Sequence, residues 1–234
     1  MEVFVTCITR FGIYLAVCIV AVFGCRLTRD IPQPVFRKML HFIPVTAIPF
    51  MILVSDAWWP PVVILGIRSV AAYPLLALAE RWSGFDHFLV QKRPGEIKQS
   101  LIDLCVPQMV LAAVFYGWLD LPYVVAAGVL TWGVGDTFAA LIGIRYGRHK
   151  VKFKYADHNK SWEGTIASCL SSLAACLIVL LLASPYSPAK CILLSLVTAP
   201  VSAFTELCTK NGNDTITVSA ANCIVLTVLA LLLP

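Results

Sequence analysis

The chain has 234 residues, of which 59% are hydrophobic and 13% charged, with a net charge of +5. Soluble domains carry about 25% charged residues, so an ordinary water-soluble globule is excluded. The high apolar fraction, the lack of a heptad charge pattern and the scattered cysteines likewise exclude a disordered chain, a coiled coil, a collagen-like fibre and a disulfide knot. A helical span takes about 20 apolar residues, and the composition therefore predicts an all-α fold: a polytopic transmembrane helical bundle of about eight spans, within a range of about seven to nine. No linker or tandem repeat divides it, so residues 1–234 are read as a single integral membrane domain.

Hydropathy sets candidate spans near residues 3–25, 41–55, 58–79, 101–119, 122–145, 164–183, 189–207 and 216–233. The first run starts at Met1 without a small-residue cleavage site, and is expected to be a retained helix and not a signal peptide. The second is short and contains Pro44 and Pro49, which predicts a broken, tilted or partly re-entrant segment. The third carries Arg68 near its middle, where a guanidinium needs a partner; Asp103, Asp136 and water are the candidates. The fourth is entered through the stretch PGEIKQS, residues 94–100, which includes Lys98.

The fifth run reads TWGVGDTFAALIGIRYG over residues 131–147. Its Asp136 lies nine residues before Arg145, roughly 13 Å along a helix from the basic loop that follows. A carboxylate at such depth costs about 2.5 to 3.5 kcal/mol on insertion scales, which marks it as functional, with pairing to Arg68 as the structural alternative. Ala139, Gly143 and Gly147 form a small-residue stripe for close helix approach, and Gly133 and Gly135 are expected to open the backbone around Asp136 into a cavity. The loop RYGRHKVKFKYADHNKSWEG holds Arg145, Arg148, Lys150, Lys152, Lys154 and Lys160, with carboxylates Asp157 and Glu163. Alternation over His149 to Tyr155 predicts an extended strand or hairpin at the membrane surface. Ser161 is an N-cap candidate for the sixth helix, with Glu163 in its first turn. Free amides at that helix start, flanked by Lys160, are expected to seat phosphate oxygens. The seventh run closes on Glu206, and Asn213 with Asp214 opens the eighth as an N-cap or Asx turn.

Fifteen of the 18 Lys and Arg fall on alternate loops, the exceptions being Arg10, Arg68 and Lys190. The positive-inside rule then puts the basic loops, above all the one between helices five and six, in the cytoplasm and both termini on the other side. The expected location is a cell (inner) membrane or, in a eukaryote, an endomembrane. The positive charge reads as topology and as attraction for anionic cytosolic ligands, with no nucleic-acid partner. The nine cysteines lack a CxxC pair and are read as packing residues. P-loop, GxSxG and HExxH signatures are missing, and Gly133 to Phe138 fails the dinucleotide fingerprint at its last position.

GDTFAALIGIRYGRHK followed by NKSWEGT resembles the membrane-embedded lipid-alcohol kinases, which include phytol kinase, dolichol kinase and the CTP-dependent diacylglycerol kinases, within the phosphatidate cytidylyltransferase superfamily. The likeness rests on Gly135, Asp136, Ala139, Gly143 and Gly147; on Lys160, Ser161, Glu163, Gly164 and Thr165; and on Glu206, Asn213, Asp214, Thr217 and Val218. Arg37, Lys38 and His41 also resemble that group, and the motif-bearing half runs from 94 to 218. The chain departs from the pattern in having Asn213 and Asp214 where a doubled acid and an asparagine are usual.

This resemblance implies transfer of the terminal phosphate of a nucleoside triphosphate, typically CTP, to a long-chain alcohol (phytol, polyprenol or dolichol, or diacylglycerol), with Mg2+. Asp136, Lys160, Glu163 and Glu206 are then the catalytic set, with Asp136, Glu163, Glu206 and Asp214 facing the metal. Arg37, Lys38, His41, Lys98, Arg145, Arg148, Lys150, Ser161 and Asn213 bind the nucleotide. The partners are a lipid alcohol from the bilayer and a nucleotide from the cytosol, and an oligomer is compatible with the reading. Two alternatives stand beside it. A phosphatidate cytidylyltransferase belongs to the same superfamily, although its KRxxKD and GHGGxxDR segments are missing here. A small transporter also uses intramembrane charges and glycine-broken helices, but usually shows inverted repeats.

Overall fold

The structure, a computed structural model, describes residues 1–81, 95–152, 156, 160–209 and 213–233. Eight helices among these residues are long and apolar enough to cross a membrane, and the fold is a multi-pass helical bundle. They are α1 (Glu2–Thr28), α2 (Gln33–Leu53), α3 (Trp59–Ala79), α4 (Glu96–Leu111), α5 (Pro122–Tyr146), α6 (Trp162–Ala183), α7 (Pro188–Cys208) and α8 (Asp214–Leu232). A π-helical stretch, Ala112–Trp118, continues α4. There Gly117 lies so close to Trp58 that an added Cβ would come within 2.9 Å of the indole.

α5 is the centre of the bundle. Of its spanning segment 56% is buried, against 11% for α1 at the periphery, and it packs on α2, α6 and α8 while α7 packs on α6 and α8 and also touches α5. A helix that is apolar all round is what such a position demands. Trp132 of α5, Met51 and Ile52 of α2, Leu180 of α6, Leu194 of α7 and Leu226 of α8 fill the core. Buried amides fix the helices' register: Asn222 donates to the Gly128 carbonyl at 3.1 Å and to Ser202 Oγ at 3.2 Å, and Gln108 donates to Ser219 Oγ at 3.3 Å. A buried polar group left unmatched in this setting costs more than the net value of a typical hydrogen bond, so these pairings discriminate against slipped packings.

Two expectations are corrected. α2 is a continuous helix that starts eight residues earlier than hydropathy suggested, with Pro34 in its first turn and Pro44 and Pro49 in its interior. The Thr46 hydroxyl donates to the carbonyls of Phe42 (3.0 Å) and Ile43 (3.1 Å), compensating part of the disturbed ladder. Arg37, Lys38 and His41 therefore ride on the first turns of a helix instead of preceding it. Secondly, Gly133 and Gly135 do not break α5. They let neighbours approach: a Cβ on Gly133 would fall 2.0 Å from Val45 Cγ1, and one on Gly135 would fall 2.4 Å from Ser172 Oγ. Small residues at crossings replace the hydrophobic drive that lipid does not supply. Of the surface strand or hairpin expected over His149 to Tyr155, the described residues show an isolated antiparallel bridge between Lys150 and Ser161, with Val151 N donating to Lys160 O at 3.1 Å. Lys154, Asp157 and Lys210, together with residues 82–94, lie outside the described residues.

Candidate functional site

Asp136 projects from the later half of α5 toward α2. Lys38 Nζ donates to its Oδ2 at 2.8 Å, and the two side chains are 15% and 19% exposed. Lys38 and His41 sit three residues apart, so both face α5, and His41 Nε2 stands 3.5 Å from the same Oδ2. The imidazole meets Trp132 edge-on, with ring centroids 5.9 Å apart. His41 Nε2 has no hydrogen-bond partner among the described residues. The cation that pairs with Asp136 is thus Lys38 and not Arg68, the partner of the structural alternative. Arg68 Nη1 is buried without a hydrogen-bond partner among the described residues, and Asp103 accepts instead from Gln99 at 2.8 Å.

A second carboxylate approaches from α7. Glu206 is 7% exposed; its Oε2 accepts from Ser168 Oγ of α6 at 2.5 Å, and its Oε1 lies 3.9 Å from Lys160 Nζ. Lys160 Nζ also donates to the Glu206 backbone carbonyl. Ser168 was not singled out from the sequence. Its only signal there is a hydroxyl one turn before Ser172, in a helix that also carries Thr165 and Ser171. At α6 the predicted cap is present, with Ser161 Oγ accepting from Gly164 N at 3.2 Å. That cap bears on the expected phosphate seat. Trp162 N donates to His149 O and Thr165 N to Ser161 O, so these first-turn amides are already satisfied by the protein. Anion attraction at this end falls to lysine ammonium groups and the helix dipole.

Between α5, α6 and α7 lies a cavity of about 380 Å³, walled by Asp136, Gly143, Gly147, Lys150, Lys160, Ser161, Gly164 and Glu206 among others. Small residues close the α5–α6 side of this cavity: a Cβ on Gly164 would fall 2.8 Å from the Ala139 carbonyl, so the two helices touch through backbone there. Of the predicted site residues, Asp136, Lys150, Lys160, Ser161 and Glu206 line the cavity, and Lys38 and His41 join it through Asp136. The others are placed elsewhere. Glu163 turns to the preceding loop, where it accepts from the backbone N–H of Arg148 (3.3 Å) and His149 (3.1 Å) and pairs with His149 Nδ1 at 2.6 Å. Lys98 pairs with Glu80 at 2.6 Å, and Arg145 lies over the ring of Tyr146. Asn213 occupies the N-cap position of α8 without a side-chain cap bond, and Asp214 stands in that helix's first turn. Arg37 sits one residue before Lys38 on α2, outside the cavity wall.

Chemically the cavity offers two carboxylates faced by lysines. Among the described residues no group of three or more His, Cys, Asp or Glu side chains could hold a metal ion by themselves. Magnesium is usually held by one or two carboxylates together with waters and substrate phosphates. Asp136 and Glu206 are the residues that would hold it.

Phytol kinase of Synechocystis is 40% identical to this chain over 62 residues, a stretch that covers 26% of either protein. No protein-family model and no solved structure matches the chain.

Proposed function

We propose that this protein is a membrane kinase that transfers the terminal phosphate of a nucleoside triphosphate, CTP by preference, to a long-chain lipid alcohol of the isoprenoid or glycerolipid type. The observation that carries this reading is the set of Asp136, Glu206, Lys150 and Lys160 around one cavity at the end of the bundle that bears the basic loops. The short match to phytol kinase supports it.

Phosphoryl transfer asks for positioning and charge neutralisation more than for covalent help from the protein. Lys150 and Lys160 bind phosphate oxygens as point charges. Asp136, held in place by Lys38, and Glu206, held by Ser168, are the residues that would hold magnesium, which would supply neutralisation of charge on the phosphate chain. Glu206 accepts the hydroxyl proton as the alcohol oxygen bonds to the terminal phosphorus and the bridging P–O bond to the leaving nucleoside diphosphate breaks. Glu163 acts one step back, by fastening the loop that carries Lys150. A cavity of about 380 Å³ is at the small end of ligand pockets, about 300 to 1,000 Å³, and suits the phosphate chain with the alcohol end of the lipid.

Purified protein in detergent, given gamma-labelled CTP and a panel of phytol, farnesol, polyprenol, diacylglycerol and phosphatidate, tests the proposal. Label on an alcohol is the expected result. Pyrophosphate release with phosphatidate would replace the kinase by a cytidylyltransferase, and inactivity on every alcohol with CTP, UTP and ATP would overturn the reading.

A further inference from the structure

Beside the polar cavity runs a second hollow of about 350 Å³, open to the outside of the bundle and almost wholly apolar. Its walls are two helical stripes in matching register: Trp162, Thr165, Ile166 and Cys169 on α6, and Pro200, Ala203, Phe204 and Leu207 on α7. Both stripes follow the i, i+3, i+4, i+7 spacing of one helix face. From Trp162 to Cys169 the groove extends about 10 Å along α6, away from the basic loop and toward the bilayer interior. Thr165, Ala203 and Leu207 wall both hollows. At this shared wall two of the three side chains are small, and Glu206 lies next to Leu207 on the polar side.

We infer that the groove between α6 and α7 seats the hydrocarbon chain of the lipid alcohol, whose hydroxyl end passes between Thr165 and Ala203 into the polar cavity. The inference rests on the kinase reading and adds the path of the substrate. An apolar channel facing lipid gains nothing by being concave unless a chain lies in it, because bilayer tails cover a convex helix face equally well. What distinguishes this face is continuity with charged groups. A chain bedded along Ile166, Cys169 and Phe204 has its polar end delivered within reach of Glu206, while a chain on the opposite face of α6, beside the exposed Ile178 or Leu182, has no such neighbour. The groove is bounded by a single helix pair, so it holds one chain, and single-chain alcohols are the substrates it fits.

Cys169→Trp and Ile166→Trp fill the groove away from the polar cavity, and Leu170→Trp, on an exposed position outside it, is the control. Pocket changes of this kind shift discrimination by about 10- to 200-fold. KM for a long-chain alcohol should rise at least about tenfold in the two groove variants, with kcat for a short, water-soluble prenyl alcohol unchanged and the control like wild type. Unaltered KM for the long chain in both variants would overturn the inference while leaving the kinase reading intact. A diazirine-tagged long-chain alcohol, photolysed on the wild-type protein and mapped by mass spectrometry, gives a readout independent of turnover. Labelling at Ile166, Cys169 or Phe204 that unlabelled alcohol displaces is expected. Labelling spread evenly over outward residues such as Leu170 and Leu182 would overturn the inference even if no alcohol were phosphorylated.

Discussion

Replacing Asp136 by Asn separates what this carboxylate does for the fold from what it does for chemistry. In the native protein Lys38 Nζ sits 2.8 Å from Oδ2, with both side chains more than four-fifths buried. Removing one partner of a buried pair costs about 3 to 5 kcal/mol, because the other charge stays behind uncompensated. Asn is nearly isosteric, however, and its carbonyl can still accept from Lys38; a hydrogen bond to a charged group returns about 1.5 to 3 kcal/mol. The net cost of D136N is therefore about 2 kcal/mol, whereas D136L, with no acceptor, loses the full amount. For a chain of this size about 1 kcal/mol corresponds to 2 to 4 °C at the midpoint. D136N should thus lower the thermal midpoint in detergent by about 4 to 8 °C, and adding K38M to D136L should recover much of that variant's loss, since the pair is then removed as a unit. Midpoints follow from size-exclusion recovery after heating, and turnover is read below the lowest midpoint. There D136N should be folded and inactive. An unchanged midpoint in D136N and D136L, or strictly additive costs for Lys38 and Asp136, would refute the pairing; full activity in D136N would refute the role in catalysis.

Glu206→Gln keeps an acceptor for Ser168 but removes the base, so kcat should fall by about 10²- to 10⁴-fold with little loss of folded protein, while Ser168→Ala, which only frees one carboxylate oxygen, should be milder. Gly133→Ala drives a Cβ to 2.0 Å from Val45 Cγ1 and should cost about 1 to 3 kcal/mol by overpacking; the double change with Val45→Ala should regain most of it, and a failure to do so would show that the α2–α5 crossing is not the cause. Glu163→Ala releases the Arg148 and His149 amides and should raise KM for the nucleotide with kcat nearly constant, whereas Glu163→Gln, which retains an acceptor, should stay close to wild type. In calorimetric titrations magnesium should tighten nucleotide binding to wild-type protein about 5- to 150-fold more than to D136N, a comparison that cancels chelation in free solution.

Span number and order were legible because apolar stretches of bilayer length leave little else for a chain to do. That Asp136, Lys160 and Glu206 line one cavity was legible in part for a related reason: each is a charge beside or within an apolar run, where its cost is highest. Orientation of side chains was not. Nothing in the order KSWEG says that Glu163, two residues before a cavity-lining threonine, turns back to hold the previous loop. Nor does hydropathy find the true start of α2, since Arg37, Lys38 and His41 lower the window average over turns that are helical all the same. Burial against α5 and the long reach of a lysine stem make those turns tolerable, and both are tertiary facts. The glycines before Asp136 carry a similar lesson. A glycine pair in a span is read equally well as a break or as a contact, and only the neighbours, Val45 and Ser172, decide.

The charges of the cavity come in matched sets, Lys38 with Asp136 and Lys160 with Glu206. With both carboxylates opposed by ammonium groups, a low-dielectric site can exist without a ligand at no great cost in unpaired charge. A triphosphate alone would draw the lysines away and leave the carboxylates facing more negative charge; a divalent cation alone would take the carboxylates and leave the ammonium groups stranded. Only the two together leave no charge unmatched: Lys160 passes from Glu206 to phosphate, Glu206 passes to the metal, and Asp136 takes the metal while it keeps Lys38. On the proposed function, the pairing that stabilises the ligand-free bundle is therefore also a selection for metal-bound nucleotide over either component. It also explains why a pair as costly to build as Lys38 and Asp136 sits at the wall of the cavity instead of being replaced by packed apolar side chains, which would hold α2 to α5 equally well.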